Sequence, residues 1–388
     1  MRDLLRPDPI RALARPDVLP DPYPAYAWLR RHQPVFWYAP LDSWVLTRHE
    51  DCVTVFRDGE RFGADWRRIG EELPPHAVSI QTVDPPEHTS VRRLVMSALR
   101  EQDAEATAKL VRDRTEELLG RLAARPSFDF VTEFAEPLAL ATIAAFLGVP
   151  EPEGEFFVPA ANAITDGMDA GLWPERGAAA ARARIALGEM IDGWFTGGGA
   201  TGMGARLAAR ATETGVDRLL LANTLRVLLH AGYASAAKLL SLGAATLLAE
   251  PGGLARWTAA DEGLAVEELV RHASPVQAMA RACVRDMELG GVTVRAGQAV
   301  TLLLGSANRD AARFAAPDAL LLDRRPNPHL GFGRGAHSCL GSPFAVTQAK
   351  AVFGAIARDH PSARLVGTPV FRPNLTLRGL ARLEVSLR

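Results

Sequence analysis

His329-Leu330-Gly331-Phe332-Gly333-Arg334-Gly335-Ala336-His337-Ser338-Cys339-Leu340-Gly341 is the stretch on which the chain turns. Glycines at 331, 333 and 335 allow a tight backbone turn. Gly341-Ser342-Pro343 then opens a helix running to about Arg358. The segment therefore reads as a loop that brings the Cys339 thiol to a helix start, with Phe332 as an aromatic shield. Backbone N–H groups at that point lower a thiol's pKa and temper its electron donation. A lone cysteine is more often a small buried hydrophobe, so the loop alone leaves a structural thiol open.

Phe332 to Gly341, FGRGAHSCLG, resembles the haem-binding signature of the cytochrome P450 family, whose cysteine is the fifth ligand of the iron. Agreement in register over the whole decapeptide favours the ligand over the structural thiol. The resemblance implies a cytochrome P450 fold, mainly α with a small β region, over a single domain of residues 1–388. A long central helix would cross the haem, with the cysteine loop on its proximal side. It also implies haem b with an axial thiolate from Cys339, contacts from Phe332 and Gly333, and a propionate held by His337.

Bulk properties set limits around this reading. Hydrophobic residues make up 48% and charged residues 23%, ordinary for a globular chain with a sizeable core. A net charge of −1 argues for neither nucleic acid nor an anionic membrane as partner. Cys52, Cys283 and Cys339 are too scattered for a disulfide framework or a zinc site, which suits a reducing compartment. The start, MRDLLRPDPIRALARPD, carries charges and prolines where a signal peptide needs an apolar run, and no stretch of about eighteen apolar residues follows. We expect a cytoplasmic protein. With no flavin or iron–sulfur segment in the sequence, the resemblance implies electrons from a separate ferredoxin and ferredoxin reductase.

Upstream, Ala25 to Arg31 reads as a short helix, and Val35 to Tyr38 and Ser43 to Thr47 as strands around a turn at Pro40-Leu41-Asp42. His49 to Arg57 reads as a helix, and Gly63 to Gln81 as a loop with one helical turn. In Asp84-Pro85-Pro86-Glu87-His88, the acid and prolines mark a helix start, and His88 and Arg92, four apart, share a face that suits a pair of carboxylates. The resemblance assigns both to the haem propionates. Glu101 to Val149 is helical, with Pro137 and Pro150 interrupting or ending the helices. Phe156 to Phe195 is a helix pair joined around Ala170 to Glu175. There Met168, Leu172 and Trp173 either line the substrate channel or belong to the core. Thr196 to Arg206 reads as a flexible glycine-rich connection.

Asp217 to Ala249 is the longest helical pattern, on the order of 45 Å at 1.5 Å per residue. Ala231-Gly232-Tyr233-Ala234-Ser235 stands where the family carries alanine-glycine-x-acid-threonine, implying that the glycine makes room for oxygen and the acid–alcohol pair relays protons. The sequence departs from that pattern, because Ala234 has no proton to give and only Ser235 keeps the alcohol. Water, Tyr233 if its hydroxyl turns inward, or a group on the substrate would have to substitute.

Glu268-Leu269-Val270-Arg271 places a carboxylate and a guanidinium on one helix face. The resemblance makes them a structural brace and gives Arg281 to a propionate. The third brace arginine is expected at Ala319, so either Arg324 or Arg325 compensates or the brace is a pair. Val346 replaces a frequent arginine on the cysteine's helix. Val276 to Ala280 and Thr376, within Pro373 to Leu380, are expected to border the substrate.

The implied function is a haem-thiolate monooxygenase acting on a small organic substrate, free or carrier-tethered, by hydroxylation or epoxidation in secondary metabolism. Ala231, Gly232, Ser235 and Cys339 are its catalytic candidates. Ala234 keeps two other readings open. One is oxidation ending in ring closure, phenolic coupling or desaturation, or driven by peroxide; the other is a non-catalytic haem-dependent ligand-binding protein.

Overall fold

The computed structural model describes residues 8–388, so the first seven residues of the N-terminal segment read above lie outside the described part. The fold is mainly helical with small sheets, the expected class. Its axis is the central helix, Arg218–Ala249, 32 residues and about 48 Å long. Asp217 starts it by accepting a hydrogen bond from the Leu220 amide at 2.9 Å. Neither proline nor a charged run interrupts it, and it packs against helices Glu136–Leu147, Glu175–Thr196, Glu262–Ala273 and Ser342–Asp359.

Surrounded in this way, the central helix is buried on almost every face. From Leu220 to Ala244 the residues left partly accessible are Leu228, Ala231, Gly232 and Ser235, a stripe at i, i+3, i+4 and i+7. One helical face thus opens inward over a length of two turns.

The β region is a five-stranded sheet ordered Val35–Tyr38, Ser43–Leu46, Ala299–Leu303, Ala278–Cys283 and Phe62–Gly63. The first pair is antiparallel with Val35 opposite Leu46, as the turn at 40–42 predicts. Ser43–Leu46 then runs parallel to Ala299–Leu303. Arg281 lies opposite Val300 on the next, antiparallel strand, so the sheet carries it inward.

Pro137 breaks the regular helix as read: it stands where the π-turn Val131–Ala135 passes into the α-helix Glu136–Leu147. Local expectations needed correction in two places. The loop at 63–81 contains two 3-10 turns, Trp66–Ile69 and Pro75–Ala77. The connection read as flexible is half helix: Gly202–Thr214 begins within it, and the Thr201 amide is fastened to the Gly148 carbonyl at 2.6 Å. Buried Met203 supplies an apolar anchor that the surrounding glycines obscure. Among the described residues no helix is long and apolar enough to cross a membrane.

Candidate functional site

The cysteine loop closes on itself through hydrogen bonds from the Gly333 amide to the Leu330 carbonyl at 2.9 Å and from the Cys339 amide to the Phe332 carbonyl at 2.8 Å. Gly335 is required twice over. Its φ is +74°, and a Cβ would stand 2.2 Å from the Phe56 carbonyl oxygen. The helix Ser342–Asp359 follows at once, and Phe332 packs on the core beneath the loop.

Cys339 is exposed, whereas Cys52 and Cys283 are buried. Its side chain is accessible yet densely surrounded by protein. That enclosure pushes the thiol's pKa up, while the amides of Gly341 and Ser342 and the charge of Arg92 pull it down. Enclosure wins, which corrects the expectation of a net lowered pKa.

Four nitrogen-bearing side chains gather around this loop. Arg92, on helix Glu87–Arg100, donates from Nη2 to the Ser338 carbonyl at 2.9 Å and to its Oγ at 3.1 Å. His88, one turn earlier, has its ring 4.1 Å from that of His337. Arg281 is buried and bonds to its own backbone neighbour, the Ala280 carbonyl, at 2.8 Å. Asp84 answers part of this charge, approaching His337 Nε2 at 3.2 Å and receiving Arg68 at 2.9 Å. Burial raises the Asp84 carboxyl's pKa, but hydrogen bonds from His337, Arg68 and the Ala64 and Asp65 amides more than reverse this, leaving it below the usual range.

What remains is an excess of donors. His88 is 2% exposed, and its Nε2 is buried without a partner. Burial, then the charges of His337 and Arg92, lower its pKa to about 4. An orphaned buried nitrogen among arginines fits a ligand bearing carboxylates. The residues present therefore suit a haem, with propionates at the donors and iron at the thiol.

Beside the loop lies the brace. Glu268 and Arg271 are fully buried and meet through two bonds of 2.7 and 2.8 Å. Arg324 Nε adds bonds to both Glu268 oxygens at 3.1 and 3.0 Å, so the third arginine is Arg324. The Ala319 backbone still takes part, its carbonyl accepting from Arg271 at 3.0 Å and from Arg324 at 3.2 Å.

Across the molecule, the inward stripe holds three of the catalytic candidates, Ala231, Gly232 and Ser235. Ser235 Oγ donates to the Ala231 carbonyl at 2.7 Å. Gly232 carries a further constraint, because a Cβ there would lie 2.5 Å from Ile143 Cδ1. Its missing side chain lets two helices approach. Ala234 is buried in the core cluster. Tyr233 is off the stripe, edge-on to Phe157 with ring centroids 5.1 Å apart, so its hydroxyl does not turn inward.

The substrate-side candidates separate. Val276 pairs with Leu377 beside Thr376, whose carbonyl accepts the Gln277 amide at 2.9 Å. Trp173 packs with Leu375 and Ala278 against one cluster, and Leu172 is buried within that cluster as core. Met168, by contrast, is 39% exposed on the turn Gly167–Asp169, although the next residue, Asp169, accepts the Leu375 and Thr376 amides at 2.8 and 2.9 Å and so ties that turn to the Thr376 segment.

Sequence reading missed Lys238. It is 8% exposed on the central helix, one turn beyond Ala234, and its stem fills the space that a side chain at Gly379 would need. Burial, then Arg372, draws its pKa down to about 8 against the opposing pull of Glu136 and Asp166. Its position four residues after the missing acid was the available signal.

Comparison with known proteins agrees with this geometry. The family profile described as Cytochrome P450 matches residues 264–359. Pentalenic acid synthase of Streptomyces avermitilis is 32% identical over 94% of each chain. The mycinamicin IV hydroxylase/epoxidase of Micromonospora griseorubida is 32% identical, over 93% of this chain and 94% of its own. A crystal structure of P450BioI in complex with hexadec-9Z-enoic acid ligated acyl carrier protein superposes with a TM-score of 0.83 at 27% identity, covering 96% of this chain and 100% of that one. The chain belongs to the cytochrome P450 family, and it is an oxidoreductase of the monooxygenase type. The family implies a haem with a cysteine thiolate ligand.

Proposed function

We propose that this chain is a single-domain haem-thiolate monooxygenase that hydroxylates or epoxidises a small organic substrate in secondary metabolism. It would use haem b and take electrons from a separate ferredoxin and its reductase in the cytoplasm. The observation that carries the reading is the pairing of two surfaces: the accessible Cys339 amid His88, Arg92, Arg281 and His337, and the inward stripe of Leu228, Ala231, Gly232 and Ser235. Two relatives whose names describe a synthase and a hydroxylase/epoxidase support the reaction class.

Haem, when bound, supplies the one-electron and oxygen chemistry that side chains lack. Cys339 would bind the iron as thiolate, and the Gly341 and Ser342 amides with Arg92 would stabilise that anion once its proton leaves. His88, Arg92, Arg281 and His337 would hold the propionates. The Glu268, Arg271 and Arg324 brace fixes the loop that carries the sulfur. Small side chains at Ala231 and Ser235 leave room above, while the apolar surroundings of the stripe limit water.

Proton supply is the altered part. Ser235 spends its proton on the Ala231 carbonyl and must rotate to pass it elsewhere, and Ala234 offers none. Water or a polar group of the substrate then supplies the proton. This favours, as a second reading, substrates whose oxidation ends in ring closure, phenolic coupling or desaturation, or turnover driven by peroxide. The test is turnover of a metabolite panel, free and carrier-tethered, with ferredoxin, reductase and electron donor, read by product mass. Gain of one oxygen is expected, and loss of two hydrogens would select the second reading. Tight binding with no consumption of ligand, either with the electron donor or with added peroxide, would overturn both in favour of a ligand-binding protein.

A further inference from the structure

Away from both surfaces, two packed helices carry a pair of arginines near enough for one to disfavour the other's charge, with no ion pair to an acid at either among the described residues. Arg226 lies on the central helix and is 3% exposed. Its Nη2 donates to the His76 carbonyl at 2.9 Å, and its Nε is buried with no partner. Arg184, half-buried on helix Glu175–Thr196, makes no hydrogen bond, ion pair or ring contact among the described residues. The two helices pack together, and the 75–77 turn bearing His76 packs against both.

The charges acting there are of one sign. Burial and then Arg184 disfavour the Arg226 cation, and burial, Arg184 and Arg226 all disfavour a charged His76. His230, one turn along from Arg226, bonds to the Ala161 carbonyl at 3.1 Å and stays neutral. Arg67 and Arg68, nearer the loop's start, are already engaged by Asp65, Glu87 and Asp84. A buried guanidinium is normally paired, because an uncompensated one loses its hydration for nothing.

We infer that Arg184, Arg226 and the His76 turn form a binding site for an oxyanion, either free phosphate or the carboxylate end of an organic acid. Two adjacent planar forks suit an oxygen-rich anion better than any neutral group. Arg226 and Ser235 are nine residues apart, two and a half turns, so they emerge on opposite sides of the helix. The anion therefore sits outside the oxidation site, at the seam of the three elements. Its reach into that site is through the loop. The same segment continues to Ile80, whose amide donates to Thr224 Oγ1 at 3.1 Å on the central helix. Filling the seam would fasten the 75–80 segment against the face that leads to the stripe.

The experiment is a thermal-unfolding titration of the haem-loaded protein with inorganic phosphate, hexanoate and methyl hexanoate at constant ionic strength, with Arg184→Gln and Arg226→Gln alongside. The wild type should gain stability saturably with phosphate or hexanoate but not with the ester, and amide exchange over 75–80 should slow. Which anion saturates identifies its source. Arg184→Gln should weaken that binding at least tenfold. Without anion it should raise the melting temperature by about one to two degrees, because one of two like charges is gone. Arg184 has no partner to lose, so its variant tests the site even if Arg226→Gln fails to fold. Non-saturable effects shared equally by wild type and Arg184→Gln would overturn the site. An unchanged carbon-monoxide spectrum would leave the haem assignment standing in either case.

Discussion

Arg271 and Arg226 are both arginines on helices, 0% and 3% exposed, yet their surroundings are opposites. Arg271 faces a carboxylate and donates to the carbonyls of Asn308, Pro317 and Ala319. Arg226 faces another arginine and leaves Nε unpaired. A buried charge whose every donor is answered from within the chain holds the fold. Unpaired Nε atoms also occur at Arg309 and Arg378, so it is the missing acid together with a like charge nearby that marks Arg226. The unpartnered Nε2 of His88 also sits among like charges, and on the function proposed above a haem propionate would answer it.

Removing Glu268 should break the comparison from its compensated side. Glu268→Ala strands Arg271 and Arg324 in the interior and should cost about 3–5 kcal/mol, read as a fall in the urea midpoint. A loss near zero would mean that the brace is not what holds the loop. Arg324→Ala leaves Glu268 with Arg271, the Leu321 amide and Asn327, so a smaller cost of about 1–3 kcal/mol is expected in the same assay. If it costs as much as Glu268→Ala, the three residues act as an indivisible unit.

The orphaned histidine gives a pH dependence. In the haem-free protein the folded-state pKa of His88 is about 4, against about 6.5 unfolded. Between these values the unfolded chain binds more protons, so stability falls as pH drops from about 6.5 towards 4. His230 and His272, both lowered to about 3, slope the same way. The diagnostic is therefore the difference between wild type and His88→Gln, which should flatten in that window. Loading haem should shrink the difference, since propionates stabilise the charged ring. An identical pH profile for the two haem-free proteins would remove His88 from the argument.

The least direct effect concerns Ala234. The position is 1% exposed in the core cluster, so Ala234→Glu buries a carboxylate there and should cost about 1–3 kcal/mol of stability. Its mark should be a lower ratio of peroxide released to electrons consumed, because an acid has been restored beside Ser235. An unchanged ratio would mean that water or substrate already supplies the proton fully.

These contrasts also divide what the sequence made legible from what it did not. FGRGAHSCLG and the uninterrupted run to Ala249 could be read because glycine spacing and apolar periodicity are local signals. Arg324 could only be bracketed with Arg325, since the choice depends on how residues 315–324 fold back over Glu268. The close approach of Ile143 to Gly232 was not legible because Ile143 lies on another helix. Arg184 and Arg226 were invisible among 44 basic residues, since what marks them is their nearness to each other with no acidic partner among the described residues, which only three dimensions reveal. The exposure of Met168 was hidden for the converse reason: an apolar side chain in a helix connection carries no mark of which way it faces.

The central claim is that the one accessible thiol binds haem iron. The measurement that tests it most directly is the reduced, carbon-monoxide-bound Soret spectrum of wild type and Cys339→Ser after haem supplementation, with the ferric forms titrated alongside. A thiolate-type band in the wild type that disappears in Cys339→Ser, while haem is still retained by His88, Arg92, Arg281 and His337, is the predicted result. The same band in both proteins, or no haem band in the wild type, would contradict it.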